Sequence, residues 1–312
     1  MLAFFVFAFV GAQVAIHQPE WITAAWAIPL GIFAVSLLAA LVGNPRFRLD
    51  APLLLLHLGL LALVLLLAVA RLTYLDGNVT LTQETAFEGK LLHDSRGPWH
   101  PDRLKQFTFT NHGVEEVYFR GASRPTTFNR VSWQLPGGSL QTSVITDNQP
   151  LTLMGYRIFQ THNRGFSPVF RWQPQGEAEE IGTIQLGAGD SLSAANQWRR
   201  ADGSELWFML DQPDNARLQP GQQRVNLGTA EMNHQLVLRL GNRRETLRPG
   251  ESVELPGGRL TYVELRTWMG YRVVYDLAVY WLAAAIAVSL AGMIWFYARQ
   301  LRSSAAHMEI SP

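Results

Sequence analysis

Cysteine is absent from this chain. Its absence excludes disulfides, thiolate metal sites and thiol redox chemistry. It also excludes a covalently held c-type haem, which needs C-x-x-C-H. Charge is scarce: 16% of the 312 residues are charged, against 48% that are hydrophobic, and the formal net charge is +1. That balance gives no bulk pull toward nucleic acid or acidic substrates. Catalytic signatures are missing too, with no G-x-S-x-G, no H-E-x-x-H and no phosphate-cradling glycine loop.

What the chain has in quantity is apolar runs. Four stand out: Met1–Ile16, Trp21–Val42, Ala51–Ala70 and Ala278–Ala298. A bilayer core of about 30 Å needs roughly 20 helical residues, which the last three supply. The first is short. It reads as a short span or as a signal peptide, although no basic residue precedes its apolar run. As a span it pairs with the second through the turn His17-Gln18-Pro19-Glu20.

Basic residues set the orientation. Arg46 and Arg48 lie between spans two and three, and Arg299 and Arg302 follow span four. Both flanks therefore face the cytoplasm and the long segment between spans three and four faces out, with Arg71 a weak contrary signal. Tyr74, Tyr275, Tyr280, Trp281, Trp295 and Tyr297 fall where the lipid interfaces belong. In a bacterium this places the protein in the inner membrane with its main domain in the periplasm. The resulting division is a three-span membrane domain (1–71), an external domain (72–276), a carboxy-terminal span (277–298) and a cytoplasmic tail (299–312).

The external segment alternates in short runs: "FTFTN", "EEVYFRG", "RVSWQL", "YRIFQT", "PVFRWQ", "ELWFML", "QLVLRL" and "LTYVEL". Aromatic and β-branched residues dominate them, and Gly, Pro, Asn and Asp divide them, as in an antiparallel sandwich. The fold class is thus a membrane protein with four transmembrane helices, three amino-terminal and one carboxy-terminal. A large external all-β, sandwich-like domain lies between spans three and four. Leu135-Pro136-Gly137-Gly138 recurs as Leu255-Pro256-Gly257-Gly258, and Met154-Gly155-Tyr156-Arg157 recurs as Met269-Gly270-Tyr271-Arg272. These echoes suggest two related β-modules dividing near Gln212–Gln223, or simply good hairpin turns. His93, His100, His112, His162 and His234 are scattered through the domain. Trp133, Trp172, Trp198 and Trp207 read as sandwich core. No catalytic residue is assigned.

One residue is out of place. His57 stands inside "APLLLLHLGLLALVLLLAVARL", Ala51 to Leu72. At 1.5 Å per residue it lies roughly 9 Å from the cytoplasmic end. Its helical neighbours Leu53, Leu54, Leu60 and Leu61 offer no side-chain hydrogen bond, and an unpartnered buried polar group costs on the order of a few kcal/mol. The expectation is a partner outside the helix. Two readings remain open: a bond to a neighbouring helix, with Thr23, Ser36 and Ser289 available, or a metal ligand, for which haem iron suits a neutral imidazole in an apolar setting. Gly59 would admit a macrocycle or a helix, and Arg46 and Arg48 could meet propionates. His17 lies most of the membrane thickness from His57, so a second axial ligand would have to come from another subunit.

The arrangement resembles the ResB (CcsB) family of system II cytochrome c biogenesis, over essentially the whole chain. The most specific stretches are "LLLLHLGLLALVLLLAVARLTYLDGNVTLTQETAFEG", "QPLTLMGYRIFQT" and "MGYRVVYDLAVYWLAAAIAVSLAGMIWFYAR". The chain departs from the family at Asp276-Leu277-Ala278, where members often have Asp-Pro-Gly, and it is shorter than many. The resemblance implies a CcsA-type, tryptophan-rich membrane partner, and export of haem for covalent attachment to apocytochrome c. It also implies a transient, non-covalent haem b at an intramembrane site shared between subunits, with His57 on the iron. The tryptophan-rich motif is absent here, so the chain would be an accessory, non-catalytic half of a holocytochrome c synthase. The alternatives are a membrane scaffold of a respiratory or multihaem cytochrome complex, and a b-haem anchor subunit of one.

Overall fold

A computed structural model describes residues 27–117, 126–176, 178–187, 195–199, 205–211, 224–226 and 234–308. The described helices are α1 (Ala27–Gly43), α2 (Pro45–Leu49), α3 (Ala51–Thr73) and α4 (Val279–Met308). Between α3 and α4 the chain is almost wholly extended. In order it forms β1 (Leu75–Thr82), β2 (His93–Arg96), β3 (Thr108–Val117), β4 (Thr126–Gln134), β5 (Gln141–Ile145), β6 (Leu151–Leu153), β7 (Tyr156–Pro174) and β8 (Glu180–Thr183). Then follow β9 (Leu186–Gly187), β10 (Ala195–Arg199), β11 (Glu205–Asp211), β12 (Arg224–Asn226), β13 (Gln235–Leu240), β14 (Arg243–Leu247), β15 (Ser252–Leu255) and β16 (Gly258–Tyr275).

Two helices are long and apolar enough to cross a membrane, Ala51–Thr73 and Val279–Arg302. The expected second span is a shorter apolar helix, α1, of 17 residues. The expected first span and the turn at His17 lie outside the described residues, as does Thr23. Of the four predicted spans, two therefore stand at full length. Helix α4 runs past the expected end of its span at Ala298, because nothing in Arg299–Met308 breaks a helix. On α4, Tyr280, Trp281, Trp295 and Tyr297 are all more than half exposed, two near each end, as residues that meet lipid interfaces.

The chain divides into two compact units. One comprises residues 1–76, 94–102 and 274–312, and the other 77–93 and 103–273. In the first, the carboxy-terminal end of α3 leaves carbonyls that no helical N–H can reach. The segment 97–100 takes them: Gly97 N–H donates to Tyr74 O (2.8 Å), Trp99 N–H to Leu72 O (2.8 Å) and His100 Nδ1–H to Thr73 O (3.0 Å). A hydrogen bond between Tyr74 Oη and Ser95 Oγ, 2.6 Å, fastens the same segment.

The second unit is built on two long strands. β7 has 19 residues and β16 has 18. They run antiparallel at the centre of an eight-stranded sheet of order β2-β1-β16-β7-β6, with β15, β8 and β9 added on. Two four-stranded sheets complete the unit, β10-β11-β13-β14 and β12-β3-β4-β5. Each packs against a different stretch of the long pair. Phe166 and Phe170 of β7, with Leu260 and Tyr262 of β16, share a buried core with Leu206 and Phe208 of β11 and Leu236 and Leu238 of β13. Farther along the pair, Tyr271 meets Phe109 of β3 edge-on at 5.3 Å, and Tyr156 meets Phe107 at 5.5 Å. Sheet faces covering one another in this way give the sandwich-like layering that the alternating runs predict.

The repeated tetrapeptides do not share a conformation. Met154-Gly155-Tyr156-Arg157 makes the turn from β6 into β7, whereas Met269-Gly270-Tyr271-Arg272 lies within β16. The two Leu-Pro-Gly-Gly copies do both sit at hairpin turns, β4–β5 and β15–β16. The expected tryptophan core is built mainly from other rings. Tyr156, Tyr262, Tyr271, Phe87, Phe109 and Phe208 are the fully buried aromatics, while Trp133, Trp172 and Trp207 are half-buried and Trp198 is 39% exposed.

A polar knot is buried under β3. Asn129 Nδ2 donates to Asn111 Oδ1 (2.7 Å) and to Gly113 O (2.9 Å), Asn111 Nδ2 donates to Leu81 O (3.0 Å), and Tyr271 Oη donates to Asn129 Oδ1 (2.7 Å). All three side chains are fully buried. Burial pushes the Tyr271 phenol far above its ordinary range, which keeps it a neutral donor. Replacing Tyr271 with Phe strips Asn129 Oδ1 of that donor. The variant should lose about 1–3 kcal/mol, read as a lower unfolding midpoint in detergent-solubilised protein.

Candidate intramembrane histidine site

Asn44 opens α2, its side chain accepting from Arg46 N–H at 3.0 Å, and Pro45 follows at the first helical position. Asp50 then stands before Pro52, and α3 begins. This tight αα connection turns Phe47 back toward the first turns of α3. Its ring centroid lies 4.4 Å from that of His57, tilted by 38°.

His57 is half-buried on α3. Its Nδ1 lies 2.6 Å from the carbonyl oxygen of Leu53 in the same helix. The expectation of a partner outside the helix is therefore wrong for this nitrogen. A helical carbonyl keeps a second lone pair after accepting its own N–H, and a residue four positions on can reach it. Neither Ser36 nor Ser289 serves His57. Ser36 Oγ donates to Ile32 O and Ser289 Oγ to Ala285 O, each within its own helix.

A carbonyl only accepts, so Nδ1 carries the proton, and in the neutral imidazole Nε2 keeps its lone pair. Among the described residues no hydrogen-bond partner meets Nε2. A ring held by one nitrogen, with the other presenting a lone pair, is how protein histidines are set up to ligate a metal.

The rest of the site is close helix packing. A Cβ on Gly59 would overlap Ser289 Oγ and fall 2.8 Å from its backbone nitrogen, and one on Gly292 would fall 2.9 Å from Leu56 Cα and 3.0 Å from Pro52 O. Gly59 thus admits a neighbouring helix, the second of its two expected uses. Helices in lipid gain no hydrophobic drive from one another and associate where small residues let their backbones touch. At the basic end Arg299 reaches Asp50 at 3.4 Å, which confirms that α3 and α4 pair antiparallel. Arg46 and Arg48 are exposed beside this end.

The histidines of the β-rich region do not gather. His93 and His162 are exposed, His234 is buried with Nε2 2.8 Å from Tyr262 Oη, and His100 binds the end of α3. His112 alone lies between a carboxylate and a hydroxyl, Glu84 and Ser132, a grouping invisible in sequence because the three are far apart in the chain. No cluster of three or more metal-ligating side chains occurs among the described residues.

These features define a helix-anchored membrane protein with a large β-rich region and a histidine set within one of its crossing helices. The ResB-like family profile matches residues 51–303, from the first residue of α3 nearly to the end of α4. The chain belongs to the ResB-like family, which is linked to cytochrome c biogenesis. No curated protein matches it.

Two outcomes follow from this geometry. Gly59→Leu should force α3 and α4 apart and cost about 1–3 kcal/mol, seen as a lower melting temperature in detergent. His100 titrates below its ordinary value, chiefly because it is partly buried, with the Thr73 carbonyl opposing that shift. The unfolded chain then binds the proton more readily than the folded one. Stability is full above about pH 6.5 and declines as pH falls from there toward the lowered value. Melting followed from about pH 7.5 to about pH 5.5 should show that decline, and His100→Gln should flatten it.

Proposed function

We propose that this chain is the ResB-type half of a haem-handling complex in the bacterial inner membrane. A CcsA-type, tryptophan-rich membrane protein is its partner. Together they move haem outward and support its attachment to the C-x-x-C-H motifs of apocytochrome c, with the β-rich region on the periplasmic side positioning the client. His57 would hold the iron of haem b in transit through Nε2, with a second ligand coming from the partner. The attachment chemistry belongs to the complex. This chain contributes a fixed imidazole, an apolar wall and the surface that holds the partner.

The observation that carries the reading is the Nδ1 bond to Leu53 O, which leaves a lone pair at Nε2 in an apolar helix. Ionisable groups inside spans are rare and mark functional sites by default. Arg46 and Arg48, exposed at the same end, are suited to meet carboxylates such as haem propionates. One observation favours the second reading, a scaffold without haem of its own. Phe47 packs on His57, as a ring with a purely structural role would allow.

Haem recovered with the purified complex separates the two. His57→Ala should lower it by at least about tenfold, the lower end of what loss of an outer-shell partner of a metal ligand costs. Added imidazole should restore part of it. Equal haem content in variant and wild type would favour the scaffold.

A further inference from the structure

His112 lies at a break in the ladder between β3 and β4, where pairing shifts between Asn111 and Val114. A bulge of this kind re-aims a side chain. Gly113, at φ +112°, makes it feasible, and the buried knot holds it from both sides: Gly113 N–H donates to Asn111 Oδ1 (3.0 Å) and Gly113 O accepts from Asn129 (2.9 Å). His112 Nδ1 lies 3.1 Å from both carboxylate oxygens of Glu84, and Nε2 lies 2.7 Å from Ser132 Oγ. Glu84 itself has φ +62°, a conformation a non-glycine residue adopts at a cost. It is held there by its own N–H donating to Asn111 O at 2.7 Å. Backbone strain of this kind gathers at functional sites.

The chemistry of the three groups is ordered. An ionised carboxylate only accepts, so the neutral imidazole carries its proton on Nδ1, and the hydroxyl of Ser132 must donate to Nε2. That is an activated hydroxyl: a nucleophile on a base that is oriented by a third group. Ser132 is 6% exposed, and its strand alternation puts it on the same face as Phe128 and Arg130. A cavity of about 260 Å3 borders His112, lined also by Glu115, Phe128, Arg130 and Val144. The Arg130 guanidinium makes no hydrogen bond or ion pair among the described residues.

We propose that Glu84, His112 and Ser132 form an acyl-transfer site for a small carboxylic ester, with Ser132 the nucleophile, His112 the general base and Glu84 the positioning residue. The bond from Ser132 Oγ to the acyl carbon forms and the ester C–O bond breaks. The serine proton passes to His112 Nε2 and then to the departing alcohol. Water repeats the sequence, releasing the acid and restoring the serine. Arg130 lies on the wall of the cavity that borders His112. The site does not depend on what His57 binds.

An alkyl fluorophosphonate tests this on the full chain in detergent, because the same oxygen attacks phosphorus, fluoride leaves and the proton goes to the same imidazole. Peptide mapping should place the label on Ser132, at least about 100-fold faster than on Ser139, an exposed serine nearby. Ser132→Ala should abolish it, and His112→Gln should slow it by about 100-fold or more. Glu84→Gln should slow it and weaken its dependence on pH, which a merely structural carboxylate would leave unchanged. Labelling of wild-type Ser132 no faster than Ser139 would overturn the proposal, whatever the variants do to folding.

Discussion

Inside a bilayer there is no water for a polar group to turn to, and the helical unit is arranged around that constraint. Every peptide group must be satisfied by the chain itself. At the carboxy-terminal end of α3 the segment 97–100 takes up carbonyls that no helical N–H can reach. Inside the span the imidazole of His57 turns to Leu53, and Ser36 and Ser289 turn to carbonyls of their own helices. Hydroxyls satisfied in this way ask nothing of a neighbour. That leaves Gly59 and Gly292 to bring α3 and α4 into backbone contact.

The same constraint gives His57 its meaning. A hydroxyl is fully at rest once it has donated. An imidazole is not, because fixing the proton on Nδ1 leaves a lone pair on Nε2. In hydrocarbon that lone pair is a standing invitation to a Lewis acid. Haem iron is the Lewis acid proposed for it, in a family linked to cytochrome c biogenesis, and the chain has no cysteine to hold haem covalently. The β-rich unit shows a related economy. Its buried asparagines and Tyr271 are bonded to one another and to the carbonyls of Leu81 and Gly113, and that expense fixes a bulge and hence the direction of His112.

Much of this was legible in the sequence where one property decides the outcome. The run from Ala51 to Ala70 predicts α3 to within its last turn, because apolar composition alone determines a span. Where the structure describes them, the alternating runs fall in strands, but "YRIFQT" and "PVFRWQ" belong to one strand. The linking His162-Asn163-Arg164-Gly165 reads as a break, yet it stays extended because β16 runs beside it, with Gly270 against Thr161 and Asn163. The second Met-Gly-Tyr-Arg was overridden by pairing in the same way. His57 was recognisable as an anomaly, while its partner was not, since a backbone acceptor has no sequence signature. Glu84, His112 and Ser132 were illegible for a different reason, because only a bulge and a long-range sheet pairing bring them together.

All of this depends on His57 holding its proton on Nδ1 and leaving Nε2 open. Nitrogen NMR of the chain labelled with 15N-histidine in lipid, with the His57 signal assigned through His57→Ala, measures this directly. The hydrogen bond to Leu53 predicts a proton-bearing Nδ1 and a lone-pair-bearing Nε2, with the Nε2 signal shifting when haem is added together with the partner. A protonated Nε2, donating to some other group of the protein, would contradict it.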